Sequence, residues 1–150
     1  MFKRTSLITA AVLLIATPFV AREEGLRTNA YLDSVGVPTI CYGETDGVQL
    51  GDSKTAPECS LLLYTKLGAT AVFVDQIVGQ PMTTNMHAAL TSWVYNVGMN
   101  AARKSTLIKL AQQGKMKEAC AQLPRWKYAG GEPILLNRRN REMKLCLTGL

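Results

Sequence analysis

Glu24, Asp33 and Thr39 place two carboxyls and a hydroxyl within sixteen residues, Glu24 through Thr39. Acid-assisted cleavage of a glycosidic bond needs such a carboxyl pair. One carboxyl gives its proton to the leaving oxygen, and a second, ionised one handles the attacking water or the oxocarbenium charge. A carboxyl among the apolar residues of a helix suits the first task, and one on a polar turn suits the second. Exposed acids occur in every domain, so on spacing alone a solvated surface is the competing reading.

The surrounding pattern supplies elements able to present these groups. Thr17-Pro18 is a helix-start signal, and a helix from Pro18 to about Ala30 would align Val20, Glu24 and Arg27 along one side. From Tyr31 to Asp52 the chain changes to short β-branched pieces punctuated by glycines, which reads as a small hairpin or three-stranded sheet. "TAPE" at Thr55–Glu58 is a capping box that opens a helix running to Val78 and ending at Gly79. Thr83 or Thr84 caps another, with Met86, Leu90, Trp93, Val94 and Val97 on its apolar side and Gly98 as its stop. Further helices are expected at Ala101–Gln113, Lys115–Leu123 and Pro133–Leu147. The result is a mostly helical α+β domain with one small sheet near its N-terminus.

The chain has 150 residues, 47% of them apolar and 19% charged, which fits one domain plus at most a terminal segment. Its net charge of +6 suits a polyanionic partner. The basic residues are scattered without interleaved aromatics, which argues against a nucleic-acid module. Four cysteines, Cys41, Cys59, Cys120 and Cys146, fit two disulfides in an oxidising compartment, with three possible pairings. With one histidine and no close Cys-x-x-Cys pair, a structural zinc site is not expected, nor is any other metal or cofactor.

Thr5 to Ala21 is an uncharged run of 17 residues behind Lys3 and Arg4. Basic before apolar is the order of secretory signals and of anchors whose N-terminus stays inside. The run sits at the short end of what spans a hydrocarbon core. Phe19 and Leu14 occupy the −3 positions of the two candidate cuts, after Ala21 and Ala16, so an uncleaved, marginal anchor is favoured over a cleaved signal peptide. The expected organisation is an anchor over residues 1–21 and a catalytic domain over residues 22–150.

The run "EGLR…AYLDSVGVPTICYGET" resembles the phage-type lysozymes, glycoside hydrolase family 24. Members show Glu-Gly, an Asp nine residues after the Glu and a Thr six after the Asp, intervals that Glu24, Asp33 and Thr39 keep. The likeness continues through "YNVG" at Tyr95–Gly98, "STL" at Ser105–Leu107, "RWKYAGG" at Arg125–Gly131 and "NRRNREMKLC" from Asn137 to Cys146. It selects Glu24 over the neighbouring Glu23. It implies a lysozyme-like fold with Glu24 as general acid, Asp33 as the carboxylate that positions or activates water, and Thr39 as a hydroxyl that helps hold it. It also implies an inverting reaction, with carboxyls roughly 6.5–9.5 Å apart, on the β-1,4 bond between N-acetylmuramic acid and N-acetylglucosamine in peptidoglycan. The disulfides of relatives imply Cys41–Cys59 and Cys120–Cys146.

The apolar leader looks like that of the signal-arrest-release endolysins. These are exported by the host secretion machinery, held inactive at the inner membrane facing the periplasm, and then released as soluble periplasmic enzymes. Glu24 lies about 4.5 Å of helix beyond Ala21, so an anchored leader would pin the element that carries the acid. No cysteine lies in residues 1–21, which closes release by disulfide exchange from the anchor. Two departures stand out: Glu44 occupies a position where the best-known member has His, and Leu135-Leu136 replaces Gly-Leu before the paired arginines. His87, Trp93 and Trp126 read as structural. The basic cluster Asn137–Arg141 reads either as a contact for wall phosphates or peptide carboxylates or as a solvated helix face. Two rival readings remain: a lytic transglycosylase, and a cationic membrane-disrupting protein without catalysis.

Overall fold

In the computed structural model, which describes residues 2–150 and side chains from Thr9 onward, helix α1 spans Phe2–Glu24 without a break at Pro18. The expected start at Pro18 is therefore an interior position. Its ring removes one backbone donor, toward the carbonyl of Leu14, and the helix continues through it. The expected end near Ala30 comes earlier. Gly25 takes the left-handed conformation (φ 73°) and its N–H donates to the carbonyl of Ala21 at 3.0 Å, which closes the helix at Glu24. Residues Arg27–Leu32 are then strand β1. Along α1, Val12, Leu13, Ala16 and Val20 are buried, whereas Leu14 is 80% exposed. Of the expected 1–21 anchor, the side chains before Thr9 lie outside the described residues.

The chain divides into two units, Thr17–Lys66 and a larger one formed by the segment up to Ala16 with Leu67–Leu150. In the smaller unit, β1 pairs antiparallel with β2 (Pro38–Cys41), with partners Arg27 and Cys41, Tyr31 and Thr39, and Leu32 and Pro38. An isolated bridge joins Asn29 to Ser53, so a short third edge accompanies the two strands. Ile40, Cys41 and Cys59 form this unit's core, with Ala30, Tyr42, Val48 and Leu62 packed against it. The Cys41–Cys59 disulfide ties β2 to helix α2, Ala56–Val78. Thr55 and Glu58 make the reciprocal capping bonds at the start of α2, Glu58 N–H to Thr55 Oγ and Thr55 N–H to Glu58 Oε2. Among the described residues α2 is the one helix long and apolar enough to cross a membrane. Its buried Leu63, Leu67, Ala71, Val74 and Val78 recur every three or four residues, the stripe of a core helix.

The larger unit is built around α3, Thr84–Val97, in which every residue from Met86 to Val94 is buried. Thr83 caps it by accepting the N–H of Met86, and Gly98 (φ 90°) ends it. The expected helix over Ala101–Gln113 is two helices, α4 (Met99–Arg103) and α5 (Thr106–Gln112). Ser105 divides them: its hydroxyl donates to the carbonyl of Ala102 and accepts the N–H of Ile108, capping α5. Helix α6 covers Met116–Ala121 and passes into a 3₁₀ turn at Leu123–Trp126, where Pro124 ends regular α-helix. The last helix, α7, is Leu136–Leu147, tied to α6 by Cys120–Cys146. In the chain-entropy model, loops of these lengths give each disulfide about 3 kcal/mol.

Within the basic cluster near the C-terminus, Asn137, Asn140 and Arg141 are exposed, but the paired arginines between them are neither a solvated face nor a free anion site. Arg138 and Arg139 are buried and pair with the buried carboxylate of Glu142. Glu142 also accepts from the Ser92 hydroxyl at 2.6 Å, while Arg139 donates to the carbonyl of Trp126 and to Asn96. One partner removed from such a network leaves a buried charge uncompensated, at a cost of about 3–5 kcal/mol. Trp93 and Trp126 meet edge to face at 5.2 Å, with Trp93 fully buried.

His87 is buried on α3, its Nε2 2.8 Å from the carbonyl of Ala71 on α2. Burial holds its pKa below the ordinary histidine value, outweighing that hydrogen bond and the charge of Asp75. The folded protein therefore resists a proton that the unfolded chain accepts, so stability falls as pH drops below about 6.5. As His87 is the chain's single histidine, a His87→Gln variant should lose less stability between pH 7 and pH 5 in urea unfolding. Equal slopes in the two proteins would remove His87 from the pH response.

Candidate active site

Glu24, Asp33 and Thr39 all belong to the smaller unit, each placed by a different local device. Glu24 is the last residue of α1, half-buried, four residues beyond the fully buried Val20. Asp33 opens the turn between β1 and β2. Its Oδ1 accepts the N–H groups of Val35 (3.0 Å) and Val37 (2.8 Å), and its own N–H donates to the carbonyl of Val37 at 3.0 Å. Gly36, in the left-handed conformation (φ 81°), lets the chain reverse within this turn. Thr39, on β2, is 3% exposed and donates its hydroxyl proton to the carbonyl of Val37 at 2.9 Å.

Asp33 and Thr39 are thus bonded to the backbone of one residue, Val37, whose N–H serves the carboxylate and whose carbonyl serves the hydroxyl. One carboxylate oxygen is occupied by two backbone donors, which fixes the direction of the other. With its proton committed, the threonine oxygen offers lone pairs to a donor.

Beyond β2 the chain turns through Cys41, Tyr42 and Gly43, with both backbone hydrogen bonds between Ile40 and Glu44 made at 2.9 Å. Gly43 has φ 80°, and a methyl group there would lie 3.1 Å from Glu24 Oε2 and 3.6 Å from its Cδ. The sequence marked Gly43 only as chain punctuation; its close approach to Glu24 is a tertiary fact. Glu44, one of the two noted departures, accepts the N–H groups of Thr45 and Asp46, each at 3.0 Å, and pairs with Lys66 at 3.5 Å. Among the described residues no group of three or more His, Cys, Asp or Glu side chains is placed to hold a metal ion.

The family model for phage lysozyme matches residues 21–142, a span that includes all three of these positions. The chain belongs to the phage lysozyme family. Among curated relatives, the SAR-endolysin of Bacteriophage PS119 is 41% identical over 129 residues, covering 84% of this chain and 77% of the relative. That of Pseudomonas phage phiKMV is 36% identical over 146 residues, covering 93% and 91%. Among solved structures, a mutant of P22 lysozyme superposes with a TM-score of 0.77 at 36% identity, covering 88% of this chain and 94% of that one. The active form of the P1 phage endolysin Lyz gives 0.80 at 28% identity, covering 95% and 94%. This phage lysozyme is a muramidase-type glycoside hydrolase that acts in cell lysis on peptidoglycan, and it resembles the signal-arrest-release endolysins.

Proposed function

We propose that the enzyme hydrolyses the β-1,4 bond between N-acetylmuramic acid and N-acetylglucosamine with inversion, Glu24 acting as general acid and Asp33 and Thr39 holding the water. The hydrogen bonding around Val37 carries this reading. A water donating one proton to the Thr39 oxygen and the other to the free oxygen of Asp33 has its lone pair left for the anomeric carbon. Protonated Glu24 gives its proton to the glycosidic oxygen as the C–O bond breaks. The water oxygen bonds to the anomeric carbon from the opposite face, and one of its protons passes to Asp33. Return of that proton to Glu24 through solvent completes the cycle. A transglycosylase closes the ring on a sugar hydroxyl and has no use for a held water.

Glu24→Gln should abolish release of reducing ends from purified wall, since an amide gives no proton, with the unfolding midpoint little changed. Asp33→Asn should lose activity nearly as far, although the amide also weakens the turn. Thr39→Ala should lose less, about tenfold to a hundredfold. The first product should be the α-anomer by NMR. A β-anomer would exclude inversion, and an anhydro end would place the enzyme with the transglycosylases.

A second proposal concerns where the enzyme waits. We infer that the N-terminal segment, exported by the host secretion machinery, first holds the protein inactive at the inner membrane facing the periplasm and then leaves the bilayer. Relatives named SAR-endolysins support this reading. So does the packing of α1, because Val12, Leu13, Ala16 and Val20 are buried in the folded protein. These side chains cannot be in lipid and buried in the folded protein together, so insertion and completion of the fold exclude each other. Thr17→Leu with Thr9→Leu adds apolar carbon to the segment and should favour lipid, by about 0.8 kcal/mol per added CH₂, and so delay lysis and enrich the membrane fraction. Collapsing the membrane potential should release the wild type more readily than the variant. A membrane-bound variant that cleaves wall at the native rate would reduce the segment to a tether.

A further inference from the structure

We propose that the Cys41–Glu44 turn is a positioning device for the proton donor, with Gly43 as the surface against which the Glu24 carboxyl is set and helix α2 as its support. The inference rests on the assignment of Glu24 as the acid and asks what keeps that carboxyl in one orientation. Glu24 is the terminal residue of its helix, where backbone restraint is weakest. Gly43 lies against it so closely that a single added methyl would come within 3.1 Å of Oε2. A glycine here supplies flat backbone, and any larger residue would require the carboxyl to shift by a few tenths of an ångström.

The turn that carries Gly43 is fastened to α2 on both sides. Before it, Cys41 is bonded to Cys59; after it, Glu44 pairs with Lys66 at 3.5 Å. Cys59 and Lys66 are seven residues apart, two helical turns on the same side of α2. Cys41 itself has φ 60°, the one left-handed position outside glycine among the described residues, so the turn begins in a conformation that a bonded side chain must help maintain. The covalent tie is the stronger one. The Lys66 side chain is 40% exposed, so its ion pair is screened by salt and serves as the weaker.

A turn that only closes the sheet would treat Gly43 like other left-handed glycines of the same unit. Gly47 provides the matched control, because it has φ 67° and open space where a methyl would go. Gly43→Ala and Gly47→Ala therefore carry comparable backbone strain, but only the first meets the carboxyl. With solubilised wall glycan as substrate, Gly43→Ala should lower kcat at least tenfold with KM within twofold of wild type. Gly47→Ala should keep both. A second pair makes the test independent of strain at glycine. Cys41→Ser/Cys59→Ser and Cys120→Ser/Cys146→Ser each remove one disulfide, and at a temperature where both remain folded only the first should lower kcat, by about threefold to tenfold. Equal kcat within either matched pair overturns the proposal. Glu24→Gln assayed alongside keeps the two questions apart: an active Glu24→Gln refutes the acid assignment itself, whereas an inactive one with equal matched pairs refutes only the positioning role.

Discussion

Burial of Val20 sets the rotation of the last turns of α1, and with it the point at which the chain can leave the helix. Gly25 turns the backbone there through a left-handed step, so that Glu24 is the last helical residue and Arg27 already belongs to a strand. An acid held at a helix end is placed by the helix but oriented by whatever lies beside it. Apolar packing therefore decides where the carboxyl is, and the glycine turn beyond β2 confines how it can lie.

Two polar clusters carry the rest of the design, with very different exposure to water. The turn around Val37 is half-open, and its hydrogen bonds join neighbours in sequence, so it forms as the hairpin forms. The network of Arg138, Arg139 and Glu142 with Ser92 and Asn96 is buried and joins α7 to the middle of α3. Desolvated charges of this kind add little net stability but penalise every arrangement in which one partner is missing. The first cluster is the one to which we assign the held water, and the second fixes how the helices of the larger unit dock.

The sequence showed what depends on local spacing. The intervals from Glu24 to Asp33 to Thr39, the caps at Thr55 and Thr83 and the stops at Gly79 and Gly98 are all properties of neighbouring residues. What it hid was set at longer range. Pro18 looked like a helix start because Thr-Pro is one in isolation, yet α1 runs through it to Glu24. Arg138 and Arg139 looked like a surface cluster because Ser92 and Asn96 lie more than forty positions away. The approach of Gly43 to Glu24 was hidden for the same reason: it requires the end of a helix and a turn beyond a hairpin to be folded together.

Each disulfide joins cysteines that are consecutive along the chain, Cys41 with Cys59 and Cys120 with Cys146. The two loops neither overlap nor enclose one another. An oxidant that met the chain from its N-terminus would make the native set simply by linking thiols in order of arrival. Pairing of neighbours would then need no reshuffling.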